Sequence, residues 1–307
     1  MNSSLRSLLL TFVAAGAVHA QEPGPAPSVN PPVAKSEPSR FQLLPKSMSS
    51  TPRIEMTVYS ERTDYGRTLP EPSAEKPAYY VAQSQGYQPM GSSPDGILQP
   101  PDPAQIEKLL HATLAESGFN VSDDAHPPTL ALIYYWGTHA GVDPKEALST
   151  ATEQELEDNF ETKTLINVHQ RDILERAMLV GGPAFAKKLA HEMAYGPRPG
   201  DFTARHQHLR YQTEHNLYYI AVSAYDYASL AKGERRLAWR TTLTVNEQGV
   251  SLKETLPPLI VSATNFFGRD TGGAVALERH INRGSVKLGP LNIIGEATPE
   301  QVGAKAK

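Results

Sequence analysis

Two β-prone segments joined by a polar turn limit the folds open to this chain more than any other feature of its sequence. Residues 217–227 are mostly apolar or aromatic, and residues 237–245 alternate between apolar and polar side chains. Such runs on either side of a turn are typical of the two arms of an antiparallel hairpin. The sequence therefore predicts a β-sheet that contains this hairpin.

The register of the hairpin is predicted by centring the polar turn near Gly233. Tyr227 then lies opposite Trp239, and Asp226 lies opposite Arg240. An aromatic pair on one face and an ion pair on the other are both favourable, at about 0.2–1 kcal/mol each. Because a slip of one residue would lose both contacts, we expect this register to be well specified.

Strand and helix patterns elsewhere in the chain complete the predicted domain. A β-prone run begins at Tyr79, and residues 130–136 form an apolar run typical of a strand covered on both faces. Between them lies the clearest helix of the sequence, 103–117, with Asp102 placed to cap it. A last helix is predicted over 256–267. We therefore predict an α+β fold, a two-layer sheet with helices on one face, plus a helical insertion.

The domain organisation is predicted from changes in composition along the chain. Residues 1–20 are a signal peptide, and 21–52 are a Pro-rich tether that buries too little apolar surface to fold. The α+β domain covers 53–268 and contains a helical insertion at 141–196, packed on the sheet or partly covering it. Residues 269–307 form a C-terminal arm and tail.

The first twenty residues have the pattern of a cleavable export signal. Arg6 precedes an apolar stretch of about ten residues, and small side chains at Val18 and Ala20 form a cleavage site. The apolar stretch is too short to span a bilayer, which takes about 20 apolar residues. The alternative is an N-terminal anchor that is never cleaved. We expect cleavage after Ala20 and export of the remainder.

Composition narrows the compartment and the classes of partner. The chain has no cysteine and a formal net charge of −4. A cysteine-free exported domain fits a bacterial periplasm or extracellular space, since secreted animal domains of this size usually carry disulfides. No basic cluster could neutralise a run of phosphates, so no nucleic-acid partner is expected. No membrane span is expected after signal cleavage.

The densest group of metal-ligating side chains contains His206, His208 and His215. On a strand, His206 and His208 would point to one face and could share a metal ion, with Asp201 or Glu214 completing the coordination. The alternative is an exposed polar loop that leads into the following strand. No cofactor is predicted.

Three short segments match catalytic or phosphate-binding motifs only in part. Residues 191–195 begin like a zinc-protease helix but lack its second histidine, so we interpret them as a helix with an exposed His and Glu. Residues 229–232 read Ser-x-x-Lys but lie in the predicted turn, without the partner motifs of penicillin-binding enzymes. Residues 268–273 lack the lysine and helix of a phosphate loop.

Aromatic side chains along the strands line a ligand groove or, alternatively, form ordinary core packing.

The order strand, helix, strand, helical insertion, hairpin, helix is similar to that in small α+β domains of uncharacterised exported bacterial envelope proteins, many of them lipoproteins. This chain lacks the lipidated cysteine of those lipoproteins. The resemblance covers about 79–139 and 217–268 and implies no reaction. It rests on Pro128-Thr129-Leu130 entering a strand, the hairpin from Asp226 to Trp239, and Leu256-Pro257 opening the last helix before Phe267-Gly268.

Together these features favour an exported, non-catalytic envelope protein with a binding or structural role. Its expected partner is an envelope protein or a small ligand, bound at the sheet or the insertion. The alternative is a metal-dependent hydrolase that uses the His-rich segment 201–215. The two predictions differ in where the histidines lie: a hydrolase requires His206, His208 and a carboxylate to converge in a pocket.

Overall fold

A computed structural model describes residues 45–92, 100–141, 160–281 and 283. The predicted signal peptide lies outside the described residues. So do residues 21–44 of the predicted tether, 142–159 of the predicted insertion, and 284–307 of the predicted arm and tail.

A seven-stranded mixed sheet lies at the centre of the described residues. The strands are β1 (Arg53–Arg62), β2 (Ala78–Tyr87), β3 (Phe119–Val121), β4 (Leu130–His139), β5 (Leu217–Asp226), β6 (Leu237–Asn246) and β7 (Val275–His280). Their order in the sheet is β3-β2-β4-β5-β6-β1-β7. Strand β2 runs parallel to β3 and β4, and the other neighbouring pairs are antiparallel.

Helices connect the strands, which confirms the predicted α+β class. The described α-helices are α1 (Asp64–Thr68), α2 (Pro103–Glu116), α3 (Phe160–Tyr195), α4 (Ala204–Glu214), α5 (Tyr227–Ala231) and α6 (Leu252–Ser262). The Asp102 side chain caps α2 by accepting from the Ala104 amide at 3.1 Å, as its position in the sequence predicts. The long helix α3 is broken at Gly182.

The larger hydrophobic core lies between one face of the sheet and helices α2 and α6. Alternate residues of the central strands point to this face, and leucine and isoleucine side chains of both helices pack on them. Full burial of each such side chain contributes about 1.5–3 kcal/mol. The principal residues are Ile54, Val58, Leu132, Trp136, Ile220 and Leu243 from the strands, and Leu110, Leu114, Leu256 and Leu259 from the helices.

Helix α3 lies against the opposite face of the sheet, and α4 packs against α3. The Thr242 hydroxyl on β6 donates to the Leu179 carbonyl of α3 at 2.8 Å. A smaller apolar cluster joins the two helices through Phe185, Leu189 and Leu209. The described part of the predicted helical insertion therefore packs on the sheet and covers its second face.

The predicted hairpin register is wrong. In the structure Arg240 lies opposite Ser223, and Trp239 lies opposite Ala224. Tyr227 has left the strand and begins α5. The predicted pairs Asp226–Arg240 and Tyr227–Trp239 therefore do not form.

A capped helical turn accounts for the difference. The Asp226 carboxylate accepts from the Ser229 amide at 2.7 Å, which starts α5 directly after β5. The connection between the strands is therefore asymmetric and is not centred on Gly233. Arg240 instead donates from Nε to the Ser223 hydroxyl at 3.0 Å.

Two other boundaries differ from the sequence prediction. Helix α6 begins four residues earlier than the predicted start at 256, because Ser251 and Glu254 form a capping box ahead of the two prolines. Strand β7, within the predicted C-terminal arm, pairs with β1 at the edge of the sheet. Among the described helices, none is long and apolar enough to cross a membrane.

Candidate functional site

The three histidines of the predicted metal site do not converge. Residues 204–214 form helix α4, neither a strand nor a loop, and residues two apart on a helix point in different directions. His208 lies 3.6 Å from a carboxylate oxygen of Glu55, and His215 donates to the Tyr211 carbonyl at 2.8 Å. The prediction that His206 and His208 share a metal site is therefore wrong. Glu214, the other predicted carboxylate, pairs with Arg210 at 3.1 Å.

His206 instead meets two carboxylates from outside its own helix. Its Nε2 lies 2.8 Å and 2.9 Å from the two carboxylate oxygens of Glu192, near the end of α3. One ligand atom from each of Glu192, Asp201 and His206 lies within 4.8 Å of the others, and all three residues are buried. We call these three residues the His206 cluster.

Three hydrogen bonds from backbone amides bring the residues of the cluster together. The amide of Gly196 bonds to the Glu192 carbonyl at 2.8 Å and ends α3 with a positive φ of 83°. The Asp201 carboxylate then accepts from the Arg198 amide at 2.6 Å and closes a short turn. Thr203 caps α4 by accepting from the His206 amide at 3.2 Å. The end of α3 and the start of α4 are thereby held side by side.

Asp201 is also paired with the Lys188 ammonium group at 2.6 Å. The Lys188 side chain is 43% exposed, whereas Asp201 is buried. The hydrogen bond from Lys188, together with that from the Arg198 amide, holds the pKa of Asp201 below its ordinary value. Asp201 is therefore ionised at neutral pH.

Glu192 is buried, although the sequence predicts an exposed glutamate at this position. Only 7% of the residue is exposed. A signal for its burial is present in the sequence, because Phe185, Leu189 and Glu192 follow at the spacing of one helical face. A carboxylate on an apolar stripe must find a partner, and here the partner is His206.

A second candidate site is a pocket of about 240 Å³ at one end of the sheet. Phe119, Leu130 and Trp239, all almost fully buried, form its apolar floor. Polar side chains stand around this floor, namely those of Arg62, Tyr65, Lys76 and Asp226. We call this cavity the Trp239 pocket.

Arg62 shapes one wall of the Trp239 pocket. Its guanidinium donates to the backbone carbonyls of Gly66 at 3.2 Å and Leu69 at 2.8 Å, and it pairs with Glu71 at 3.1 Å. These bonds fold the segment after β1 over the end of the sheet. The wall formed in this way carries Leu69 and the proline residues that line the pocket.

Asp226 organises the opposite edge of the pocket. In addition to capping α5, it accepts from the Tyr65 hydroxyl at 2.6 Å. The hydrogen bonds from Ser229 and Tyr65 lower the pKa of Asp226, and burial with the Asp226 contact raises the pKa of Tyr65. The Arg236 guanidinium lies 3.8 Å above the centre of the Tyr65 ring. Asp226 therefore caps a helix and binds Tyr65, whereas the sequence predicts an ion pair between Asp226 and Arg240.

Gly268 keeps space open beside the Trp239 indole. A Cβ at Gly268 would lie 3.4 Å from Trp239 Nε1 and 2.5 Å from Cζ of Phe119. Gly268 itself lines the pocket and has a φ of 67°. Among the described residues, none forms a hydrogen bond with the buried indole N–H of Trp239.

A third polar group lies on the opposite face of the sheet, at the end of β4. His139 Nε2 lies 3.1 Å from a carboxylate oxygen of Glu175, and Arg176 donates from Nε to the Thr213 carbonyl at 2.6 Å. Burial, together with the nearby Arg176 charge, lowers the pKa of His139. The imidazole is therefore neutral in the folded protein at neutral pH.

Comparison with protein-family models and with curated proteins finds no match. Among solved structures, a PDZ domain protein from Parabacteroides distasonis is similar over 76% of this chain, at 11% identity and a TM-score of 0.32. The chain spans 40% of the length of that protein. A PelC dodecamer from Paraburkholderia phytofirmans is similar over 68% of this chain and 95% of its own, at 8% identity and a TM-score of 0.28. Likenesses this low carry no argument about function.

Proposed function

We propose that this chain is an exported, non-catalytic binding protein of a bacterial envelope, and that it takes a small ligand into the Trp239 pocket. The pattern of residues 1–20 supports export. The observation that carries the binding role is the pocket itself, in which an apolar floor is surrounded by a few polar groups. This combination is typical of small-molecule sites.

The charges around the pocket favour a ligand with an apolar body and an anionic head. Lys76 and Arg62 line the cavity as cations, and Asp226 is the anion among its lining residues. Asp226 is already satisfied by Ser229 and Tyr65. Arg62 is likewise paired with Glu71 at 3.1 Å. Lys76, for which the described residues form no ion pair, is therefore the charge of the lining that is left to attract a carboxylate more than an ammonium group.

Burial of the His206 cluster favours a non-catalytic role over the hydrolase alternative. The side chains of His206 and Glu192 are 7% and 4% exposed. A catalytic metal site keeps one coordination position open for water and substrate. Side chains covered to this degree leave little room for a substrate to approach.

Indole N–H resonances provide a direct test of ligand binding. The chain has two tryptophans, so a ¹⁵N-labelled sample gives two indole signals. Trp136 lies six residues beyond Leu130 along β4, about 20 Å from the pocket at about 3.3 Å per residue, and serves as an internal control. Benzoate, benzamide and benzylamine are the probes, since they share a ring and differ in the charge of the head. We expect benzoate to shift the Trp239 signal saturably, with a Kd of about 1 mM for so small a compound, and benzylamine to shift it least.

Two variants locate the binding. Gly268→Ala adds a methyl group to the wall and should abolish the benzoate shift, and Lys76→Gln should weaken the preference for benzoate over benzamide. Lys232→Gln, which removes an exposed lysine outside the pocket, is the matched control. Equal shifts for all three probes would refute the anionic head, and a shift of the Trp136 signal alone would refute the site.

Export is tested separately. Mass spectrometry of the native protein from its host should find an N-terminus at Gln21 in the envelope or extracellular fraction. An intact Met1 in a cytosolic fraction would refute export without bearing on the pocket.

A further inference from the structure

We propose that the His206 cluster is a closed zinc site that joins the end of α3 to the start of α4. The inference is independent of the Trp239 pocket, because the cluster lies where α3 ends and α4 begins, and α3 packs on the opposite face of the sheet. It rests on the identity of the donors, their distances, their burial and the local charge.

The donors form a set that zinc uses. His206 Nε2 supplies one nitrogen, Glu192 two oxygens and Asp201 one oxygen. Zinc binds imidazole nitrogen and carboxylate oxygen at about 2.0–2.2 Å, and structural sites have four donors. Both oxygens of Glu192 already lie within 2.9 Å of His206 Nε2, so the carboxylate faces the imidazole with both oxygens. Imidazole also disfavours Mg²⁺ and Ca²⁺, which prefer oxygen donors alone.

The distances require only a small adjustment. Donors from different residues around one tetrahedral zinc ion are about 3.4 Å apart, given bonds of about 2.1 Å. His206 and Glu192 would therefore separate by about 0.5 Å, and Asp201, already within 4.8 Å, would move closer. Rotation of side chains near the two helix ends can supply such shifts without a change in the fold.

The charge balance also favours a divalent cation. Two buried carboxylates lie together, and the Lys188 ammonium group pairs with one of them. The Lys188 side chain is 43% exposed and sits on a flexible stem, so its ammonium group can turn into solvent when an ion takes its place on Asp201. A zinc ion then supplies two positive charges where the carboxylates meet. Because burial removes the competing water, such a pairing is stronger than at the surface.

The experiment uses the full mature chain with any affinity tag removed, since tags bind zinc. Isothermal titration at pH 7.5 should show one Zn²⁺ per chain, and Mg²⁺ and Ca²⁺ should show no heat. Co²⁺ should give a visible absorption band that Zn²⁺ displaces. At zinc concentrations 100-fold above Kd, the unfolding equilibrium constant should fall about a hundredfold.

Substitutions assign the ligands. His206→Gln and Asp201→Asn should each abolish the zinc heat and the cobalt band, while His208→Gln, two residues away on the same helix, should retain both. If His206→Gln fails to fold, the cobalt band of Asp201→Asn decides. Two results would overturn the proposal and show that the cluster is an ion-pair network only. One is the absence of zinc binding to the wild-type chain, and the other is zinc binding to both His206→Gln and Asp201→Asn as strong as to the wild-type chain.

Discussion

Replacement of Gly182 by alanine tests how α3 is seated on the sheet. Gly182 interrupts the helix with φ 73° and ψ −173°, a conformation that is essentially restricted to glycine. A Cβ at this position would lie 2.1 Å from Cζ of Tyr59 and 2.5 Å from its hydroxyl oxygen. The substitution therefore strains the backbone and forces the Tyr59 ring away from its place on β1.

The two costs can be estimated separately. Holding a non-glycine residue in such a conformation costs about 1–3 kcal/mol. Insertion of a methyl group into a packed contact costs about 1–3 kcal/mol more. We therefore expect Gly182→Ala to lower the free energy of unfolding by about 2–6 kcal/mol, a large part of the about 5–15 kcal/mol that stabilises an ordinary domain.

Urea unfolding followed by circular dichroism measures this loss. Gly233→Ala is the matched control, because Gly233 also has a positive φ of 84° but nothing lies within 4 Å of its Cβ position. The control should lose only the backbone part, about 1–2 kcal/mol. A second substitution, Tyr59→Leu, should recover part of the loss in Gly182→Ala and none in Gly233→Ala. Equal losses in the two glycine variants, with no effect of Tyr59→Leu, would refute the contact between α3 and β1.

Two further predictions concern single ionisable groups. Asp226→Ala removes the cap that binds the Ser229 amide and the acceptor of the Tyr65 hydroxyl, and should lower the free energy of unfolding by about 1–3 kcal/mol at pH 7, measured in urea; no loss would contradict the capping role. His139 has a lowered pKa because it is buried near Arg176, so the unfolded chain, with a histidine pKa of about 6.5, binds the proton more readily. Stability should therefore fall as the pH drops below about 6.5, and His139→Gln should flatten this dependence whereas the exposed His280→Gln should not. A slope unchanged in His139→Gln would contradict the assignment.

The elements that were predicted well are those specified by neighbouring residues. The helix predicted at 103–117 has its cap, its first-turn proline and its apolar spacing within a single stretch of chain, and the structure has it at Pro103–Glu116. The arms of the hairpin were also found, because β-prone apolar runs carry their own signal. In both cases the information and the structure it specifies lie within a few residues of each other.

The candidate sites depended on contacts that local patterns do not contain. The sequence groups His206 with the histidines next to it in the chain, but the side chains that it meets come from the end of α3 and from the turn before α4. The Trp239 pocket draws its lining from six strands and the segments between them. Spacing along one strand or helix identifies the residue types that can form a site. It does not identify which distant residues will meet them.

Asp226 shows why the predicted register failed. A carboxylate three residues before a serine amide can cap a helical turn, and this contact is worth about 1 kcal/mol. The expected ion pair with Arg240 is a contact of about 0.2–1 kcal/mol that also requires two distant segments to be in register. The local contact therefore has an advantage before the strands pair, and its helical turn then determines which residues face each other. For a strand that ends in Asp or Asn, a cap at the third following amide should be weighed before any cross-strand partner is assigned.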